Sequence, residues 1–534
     1  MSLVTPQVPS APSALRPQHP VLRDLQGLVD EFNLGVRTGS PATEPGTATA
    51  PGSIAGLSVS GVSLSTGSVQ PGDLYVGVPG RNSHGAAFAV KAREAGAVAI
   101  LTDEAGALVA AGSGLPVLVT PDARASLGAI AAWIYGTADN PATLYAVTGT
   151  NGKTSVVYLL FAVLKQLGIT SGLTSTAERR IGDLAVTSSL TTPEASELHA
   201  LLARMNEAAV TAVGIEVSAQ ALSRYRVDGL VFDIAGFTNL SHDHLDDYAS
   251  LDDYFAAKLE LFQPHRSRRG VVTVDSDWGR RIVLEAGIPL TTISNQPEIT
   301  ADWHMSVVGA SAVHTEFVLE GPSGARLQTR VPLLGWFMAA NAALAIVMLV
   351  ESGVALSEID ECLTRDGGID AYIPGRAERI SGERGPLVII DYGHSPDAFF
   401  NTLAALRPFT TGRLIMVFGA DGDRDTTKRE DMGAIAARGA DVVVITDFHP
   451  RFEDPAAIRA TLLAAARAAN PAGELHEVPN PRAAFRTALS LATEGDTILY
   501  AGPGHEEYHE VAGIKIPYSA RGDSREALRE AGWL

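Results

Sequence analysis

The chain has 534 residues, 46% of them hydrophobic and 19% charged, with a formal net charge of −19 and a single cysteine, Cys362. That is a globular composition with room for about three domains, and the acidic balance excludes a general nucleic-acid binder, so anionic substrates need local basic pockets. One cysteine excludes a disulfide framework and a multi-cysteine zinc site and suits a reducing cytoplasm; no basic-then-apolar leader is visible, and the most apolar run, 336–350, is too short to span a bilayer and contains Asn341, so it reads as a core helix.

Residues 1–20 and about 38–56 are rich in Pro, Ser, Thr, Ala and Gly, and 1–53 read as an N-terminal tail and irregular segment. From 54 to 141 short β-type runs (73–76, 97–100, 116–119) alternate with helical stretches such as 88–95, which predicts a small α/β domain. A second block, 142–374, opens with the apolar run 144–147, a glycine-punctuated turn and an apolar-rich helix over 155–167. A third, 375–534, repeats four β-branched runs at 387–390, 414–418, 442–445 and 497–500, separated by helical composition, as in a doubly wound parallel sheet. Each of these runs ends in a polar loop, at 391–394, 419–425, 447–451 and 502–506, and ligands in open α/β sheets bind beyond the carboxyl ends of the strands.

Three segments carry the chemistry. Strand, turn and helix around Gly149-Thr150-Asn151-Gly152-Lys153-Thr154-Ser155 have the layout of a phosphate-binding loop. Its N–H groups and helix N-terminus favour anionic oxygens, Lys153 reaches outer phosphates, and the Thr154 hydroxyl can hold Mg²⁺. The usual loop has a further glycine where this chain has Val147. A second strand, 212–217, ends at Glu216, either a Mg²⁺ ligand or a strand-capping surface carboxylate. The run His242-Asp243-His244-Leu245-Asp246 is rich in metal-ligating types; Mg²⁺ prefers oxygen, and zinc has no partner cysteines here. Lys258, by composition alone, is a solvated helical lysine.

These pieces occur in one order with Leu190-Thr191-Thr192-Pro193, Glu216-Val217-Ser218, Thr238-Asn239-Leu240-Ser241, Tyr254-Phe255-Ala256-Ala257-Lys258, Pro374-Gly375-Arg376, Asp391-Tyr392, Gly422-Asp423-Arg424-Asp425, Pro450-Arg451 and Gly504-His505-Glu506. From about 54 to 520 the chain resembles the Mur ligase family, in its UDP-N-acetylmuramoyl-tripeptide synthetase branch. The resemblance implies three α/β domains: a small UDP-muropeptide-binding domain (54–141), a central ATP-binding ligase domain with a mostly parallel sheet (142–374), and a C-terminal Rossmann-like domain that binds the amino acid (375–534). It implies a cytoplasmic, monomeric ligase of peptidoglycan precursor synthesis, and so of cell-wall biogenesis, cell shape and cell division. Its substrates are ATP with two Mg²⁺ ions, UDP-N-acetylmuramoyl-L-Ala-D-Glu and a diamino acid, with neither nucleic acid nor membrane insertion involved, and its intermediate is an acyl phosphate.

By position, the resemblance assigns ATP to Gly149 through Ser155, Asn341, Arg376 and Asp391. It gives metal and catalytic roles to Lys153, Thr154, Glu216, His244 and a carbamylated Lys258. The UDP-muropeptide falls to Thr66, Arg81, Asn82, Ser83, Thr191, Thr192, Ser218, Arg224 and Arg226, and the amino acid to Arg424, His449, Arg451, Gly502 and Glu506. Departures are equally specific. Ser65-Thr66-Gly67 stands where the family carries Asp-Ser-Arg, Pro503 replaces a lysine, and Phe448-His449-Pro450-Arg451 replaces the Asp-Asn-Pro-Arg of diaminopimelate-adding enzymes. The third amino acid therefore stays open among diaminopimelate, lysine, ornithine and diaminobutyrate. Two other functions also fit: a related Mur-type ligase such as folylpolyglutamate synthase, and a non-catalytic Mur-like binding protein.

Overall fold

The computed structural model describes residues 15–37, 54–80, 82–243 and 247–534. The backbone forms two compact units: residues up to 146 with 169–233 and 263–268, and residues 147–168, 234–262 and 269 onward.

In the first unit, Gly61–Ser63, Asp73–Gly77, Ala99–Thr102 and Val117–Val119 form a parallel sheet, closed at its edge by antiparallel Gly35–Arg37. Alternation along the strands serves two cores. Leu74, Val76, Leu101 and Leu118 face the helices Leu25–Glu31 and Ala123–Tyr135, while Tyr75, Ile100, Val117 and Val119 pack with Ala86, Ala89 and Ala92 on the other side. Ordered structure thus begins well before residue 54, contrary to the irregular segment expected there. Residues 25–31 are helical because Asp24 caps their N-terminus and Leu25, Leu28 and Val29 fall on one buried face. Arg16, placed by composition in a tail, ion-pairs with buried Asp73 at 2.6 Å.

The same unit holds strands Leu184–Thr187, Glu178–Ile181, Ser171–Thr174 and Ala212–Glu216, neighbours in that order. Ala212–Glu216 runs parallel to Ser171–Thr174, and the other pairs are antiparallel.

In the second unit, helix Lys153–Gln166 packs against the apolar helix Trp336–Glu351, the predicted core helix. Residues 270–273 pair in parallel with 290–293, and strands Trp303–Ala310, Thr315–Glu320 and Arg326–Val331 form an antiparallel meander. The C-terminal sheet has the order Glu378–Arg379, Leu387–Asp391, Thr497–Ala501, Leu414–Phe418, Val442–Ile445, Glu474–Glu477, parallel except for the first. All four predicted runs are buried strands of it, and their carboxyl ends carry the four polar loops. A hairpin, Tyr508–Val511 with Ile514–Pro517, follows the last strand. No helix among the described residues is long and apolar enough to cross a membrane.

Candidate active site

The loop after Thr148 is held by glycine geometry. Gly149 and Gly152 have φ of 148° and 91°, and a Cβ on Gly152 would lie 2.6 Å from the Asn341 Oδ1. Only a glycine occupies such a position without strain. Among the described residues no side chain caps the N-terminus of helix Lys153–Gln166, so its amide end is available to an anion.

A second segment braces the loop. Thr150 N–H donates to the Asn239 carbonyl (2.9 Å), Asn151 N–H to the Asn239 Oδ1 (3.0 Å), and the Thr238 hydroxyl to the Asn151 carbonyl (2.6 Å). Asn239 and Thr238 belonged to a recognised motif but had no assigned role; an asparagine that shapes a loop carries no chemical signature in one sequence.

Two lysines converge here. Lys153 Nζ donates to the carbonyls of Gly149 (2.8 Å) and Thr150 (2.9 Å), and Lys258 Nζ donates to the same Gly149 carbonyl (2.9 Å). Lys258 is fully buried, with its Nζ 4.2 Å from the centroid of the Tyr254 ring. It is not the solvated helical lysine that composition suggests: helix Leu251–Leu259 starts at Ser250, which caps it, and buries Tyr254, Phe255 and Lys258. Burial holds the Lys258 pKa well below the ordinary lysine range, and neighbouring Lys153 pushes it further down against the opposing charge of Asp243. Asp243 itself ion-pairs with buried Lys428 at 3.0 Å.

Arg376 completes this side. Its Nη2 donates to the Thr154 hydroxyl at 2.9 Å, its guanidinium stacks 4.5 Å from the Tyr392 ring centroid, and its buried Nε has no hydrogen-bond partner among the described residues. Asp391 is buried and accepts from the Ala377 N–H (2.8 Å) and the Gly393 N–H (2.7 Å), so it shapes the backbone around Arg376. A cavity of about 380 Å³ adjoins these groups, lined among others by Asn151, Gly152, Ser155, Asn341, Arg376 and Asp391. The volume suits a small-molecule ligand. Trp336, where the chain departs from the family's Gly-x-Phe-Asn, also lines it, as do Asn295 and Gln296, which were not singled out from the sequence.

The muropeptide candidates gather in the first unit. The fully buried Glu216 carboxylate accepts from the Thr176 N–H (2.9 Å) and lies 3.1 Å from the Thr176 hydroxyl, which is 3.0 Å from Thr191. Thr192 donates to the Glu216 carbonyl (2.7 Å) and accepts from the Ser218 N–H (3.1 Å). Arg226 reaches Glu194 at 3.0 Å, and Arg124 pairs with the same carboxylate at 2.9 Å. Thr191, Thr192, Glu216, Ser218 and Arg226 are thus brought together. Arg224 follows the short helix Ala219–Ser223 as its C-cap. Asn82 and Ser83 are exposed, Thr66 half-buried, and Arg81 and His244 lie outside the described residues.

Fit to Mg²⁺ follows from the donors. Among the described residues the buried Glu216 carboxylate meets only the neutral Thr176 N–H and hydroxyl, and Glu216 and the Thr154 hydroxyl are hard oxygen donors of the kind Mg²⁺ prefers. Among the described residues no group of three or more His, Cys, Asp and Glu side chains forms a ready-made metal cluster.

In the C-terminal loops, His449 is buried, with Nε2 2.6 Å from the Glu506 Oε2 and Nδ1 accepting from the Glu510 N–H at 2.8 Å. Asp423, His449 and Arg451, none of them glycine, have φ of 51°, 40° and 50°. Such strain costs about 1–2 kcal/mol per residue and concentrates where side chains must be aimed. Gly502 (φ 112°) lies against the Phe448 ring. Arg424 adjoins strained Asp423, whose carboxylate accepts from the Phe452 N–H at 3.0 Å.

Three family models match the chain in order: Mur ligase family, catalytic domain, over 58–140; Mur ligase middle domain over 147–349; and Mur ligase, glutamate ligase domain, over 375–504. UDP-N-acetylmuramyl-tripeptide synthetase of Leifsonia xyli subsp. xyli is 68% identical over 524 residues, 98% of this chain and 99% of that protein. UDP-N-acetylmuramoyl-L-alanyl-D-glutamate–2,6-diaminopimelate ligase of Streptomyces avermitilis is 44% identical, with 88% of this chain and 93% of that protein covered. A solved structure of a ligase of that name is 27% identical with a TM-score of 0.61, covering 89% and 96%. MurF from Acinetobacter baumannii, 17% identical with a TM-score of 0.63 over 90% and 96%, shares the fold. Collinear along almost its whole length with these ligases, the chain belongs to the Mur ligase family.

Proposed function

We propose that this chain is an ATP-dependent ligase that joins a diamino acid to the D-Glu carboxylate of UDP-N-acetylmuramoyl-L-Ala-D-Glu, in cytoplasmic peptidoglycan precursor synthesis. The observation that carries this reading is the convergence of Lys153 and fully buried Lys258 on the Gly149 carbonyl, beside a glycine cradle and Arg376. Lys153 and Arg376 place positive charge where a triphosphate meets a second anion, with Lys258 beside them.

In this reading the D-Glu carboxylate oxygen attacks the γ-phosphorus and ADP leaves. The amine of the diamino acid then attacks the acyl carbon, phosphate departs and a proton is lost, leaving the amide. Lys153 follows the phosphates, and the unpaired Arg376 Nε offers a further donor. Thr154, Glu216, His244 and Lys258 as a carbamate would hold Mg²⁺, which when bound neutralises charge on the transferring phosphoryl group. Carbamylation needs a neutral amine: Lys258 Nζ bonds to the carbon of CO₂ and loses one proton, turning a buried neutral amine into an anion. Burial beside Lys153 favours that neutral amine. Thr191, Thr192, Ser218, Arg224 and Arg226, with Thr66, Arg81, Asn82 and Ser83, are assigned to the UDP-muropeptide, and Arg424, His449, Arg451, Gly502 and Glu506 to the amino acid. The three-domain division at about 141 and 374, a monomeric state and roles in cell shape and division belong to the same proposal.

The test is phosphate release from ATP and Mg²⁺, with UDP-N-acetylmuramoyl-L-Ala-D-Glu and each of four diamino acids. Release that depends on both acceptor and amino acid is expected. Release with a folate acceptor and glutamate instead would move the chain to the folylpolyglutamate synthase reaction, and none with any acceptor would leave a binding protein.

A further inference from the structure

Within the ligase reading, on which the following rests, we infer that the amino-acid loops select a diamino acid whose side chain ends in an ammonium and carries no second carboxylate. The carrying observation is that Arg451 and His449 are both already engaged with carboxylates of the protein. Arg451 spends all three guanidinium nitrogens on the protein: Nη1 donates to the Gly422 carbonyl (2.8 Å), Nη2 pairs with Asp421 (3.1 Å) and Nε with Glu510 (3.4 Å). Its backbone is fixed too, since its N–H donates to the Glu510 carbonyl and the Ala512 N–H donates to its own carbonyl. Releasing Arg451 toward a ligand would strand two largely buried carboxylates.

His449 is the other candidate donor, and its tautomer is set by geometry. Because Nδ1 accepts from the Glu510 N–H, the ring in this arrangement carries its proton on Nε2, and that proton points at Glu506. Both ring nitrogens are therefore engaged with the protein, and the ring is only 3% exposed. The cluster holds three carboxylates, Asp421, Glu506 and Glu510, against the Arg451 guanidinium and Lys515, which faces Glu510 across the hairpin. Lys515 sits over the Tyr508 ring at 4.1 Å, and Arg429 is paired with Glu453. The surplus is anionic, and Glu506 turns its other oxygen toward the Tyr392 hydroxyl at 3.4 Å, a neutral partner. An ammonium completes this cluster, whereas a second carboxylate adds to its anionic surplus and competes with Asp421 and Glu510 for Arg451.

The experiment compares kcat/KM for L-lysine, L-ornithine, L-2,4-diaminobutyrate and meso-diaminopimelate in the phosphate-release assay with the full chain. At least one monocarboxylate diamino acid should exceed meso-diaminopimelate by about 100-fold or more, as for a charge buried without its partner. Asp421→Asn combined with Glu510→Gln, which frees Arg451, should narrow that ratio at least tenfold. Wild-type turnover of meso-diaminopimelate equal to or above all three would overturn the inference while leaving the ligase reading intact. If no amino acid supports phosphate release, the ligase reading fails instead. Calorimetric binding of the four amino acids then decides the inference separately, and tighter meso-diaminopimelate would refute it.

Discussion

Replacing Lys258 by methionine separates a catalytic lysine from a structural one. The side chain is wholly buried, its Nζ 2.9 Å from the Gly149 carbonyl and 4.2 Å from the Tyr254 ring centroid. Methionine has a similar length and no charge, so it fills the space without a cavity. The substitution removes one hydrogen bond, worth about 0.5–1.5 kcal/mol net. It also removes the cost of holding an amine in the interior, several kcal/mol if charged. The Gly149 carbonyl keeps its bond from Lys153. Stability should therefore change by no more than about 1 kcal/mol, a few degrees in Tm or less for a chain of this size. Turnover should fall by about 10³-fold or more, the scale of losing one preorganised electrostatic group. Calorimetry and phosphate release measure the two quantities on one preparation, and Lys258→Ala with added formate should recover part of the activity. A variant that loses more than about 3 kcal/mol of stability yet turns over normally while folded would refute the reasoning and make Lys258 a core residue.

Three further outcomes follow from the geometry. Gly152→Ala places a methyl 2.6 Å from the Asn341 Oδ1 at φ 91°, so KM for ATP should rise about tenfold or more while KM for the amino acid stays put. Arg376→Lys keeps the charge but loses the stacking on Tyr392 and the fork that reaches Thr154; kcat/KM for ATP should fall about 10²-fold in initial-rate kinetics. His199 is fully buried between the Thr137 hydroxyl (2.6 Å) and the Asp228 carbonyl (2.9 Å), and burial depresses its pKa to about 4 against the opposing pull of that carbonyl. Between about 4 and 6.5 the unfolded chain binds the extra proton and the folded one does not, so the contribution is complete above 6.5 and shrinks as pH falls toward 4. The loss amounts to about 3 kcal/mol, and His199→Gln should flatten that slope in denaturant titrations across this range.

Much of the second unit was legible because its strands are continuous β-branched runs. Leu414–Phe418 and Val442–Ile445 are buried on both faces, which only an apolar run satisfies. The meander over 303–331 escaped notice because Arg326–Val331 alternates with exposed Arg and Gln, and Trp303–Ala310 buries only Trp303 and Met305. Helix Leu25–Glu31 was hidden by the Pro- and Ser-rich residues on either side of it. The site was legible where chemistry demands a residue type, as at Gly152 and Lys153. It was not where a residue acts by shape: Asn239 bracing the loop, or Gln296 lining the cavity, looks like any other residue of its kind. Lys258 lies between these cases. Its helix pattern suggested solvent, and only tertiary packing reveals that Tyr254 and Phe255 carry it inside.

The central claim is that this site couples ATP cleavage to amide formation on a muropeptide. Mass spectrometry of a reaction containing the purified chain, Mg²⁺, ATP, UDP-N-acetylmuramoyl-L-Ala-D-Glu and the four diamino acids tests it most directly. The account predicts a UDP-muramoyl tripeptide formed in equal amount to released phosphate. Phosphate without tripeptide, or neither product, would contradict it.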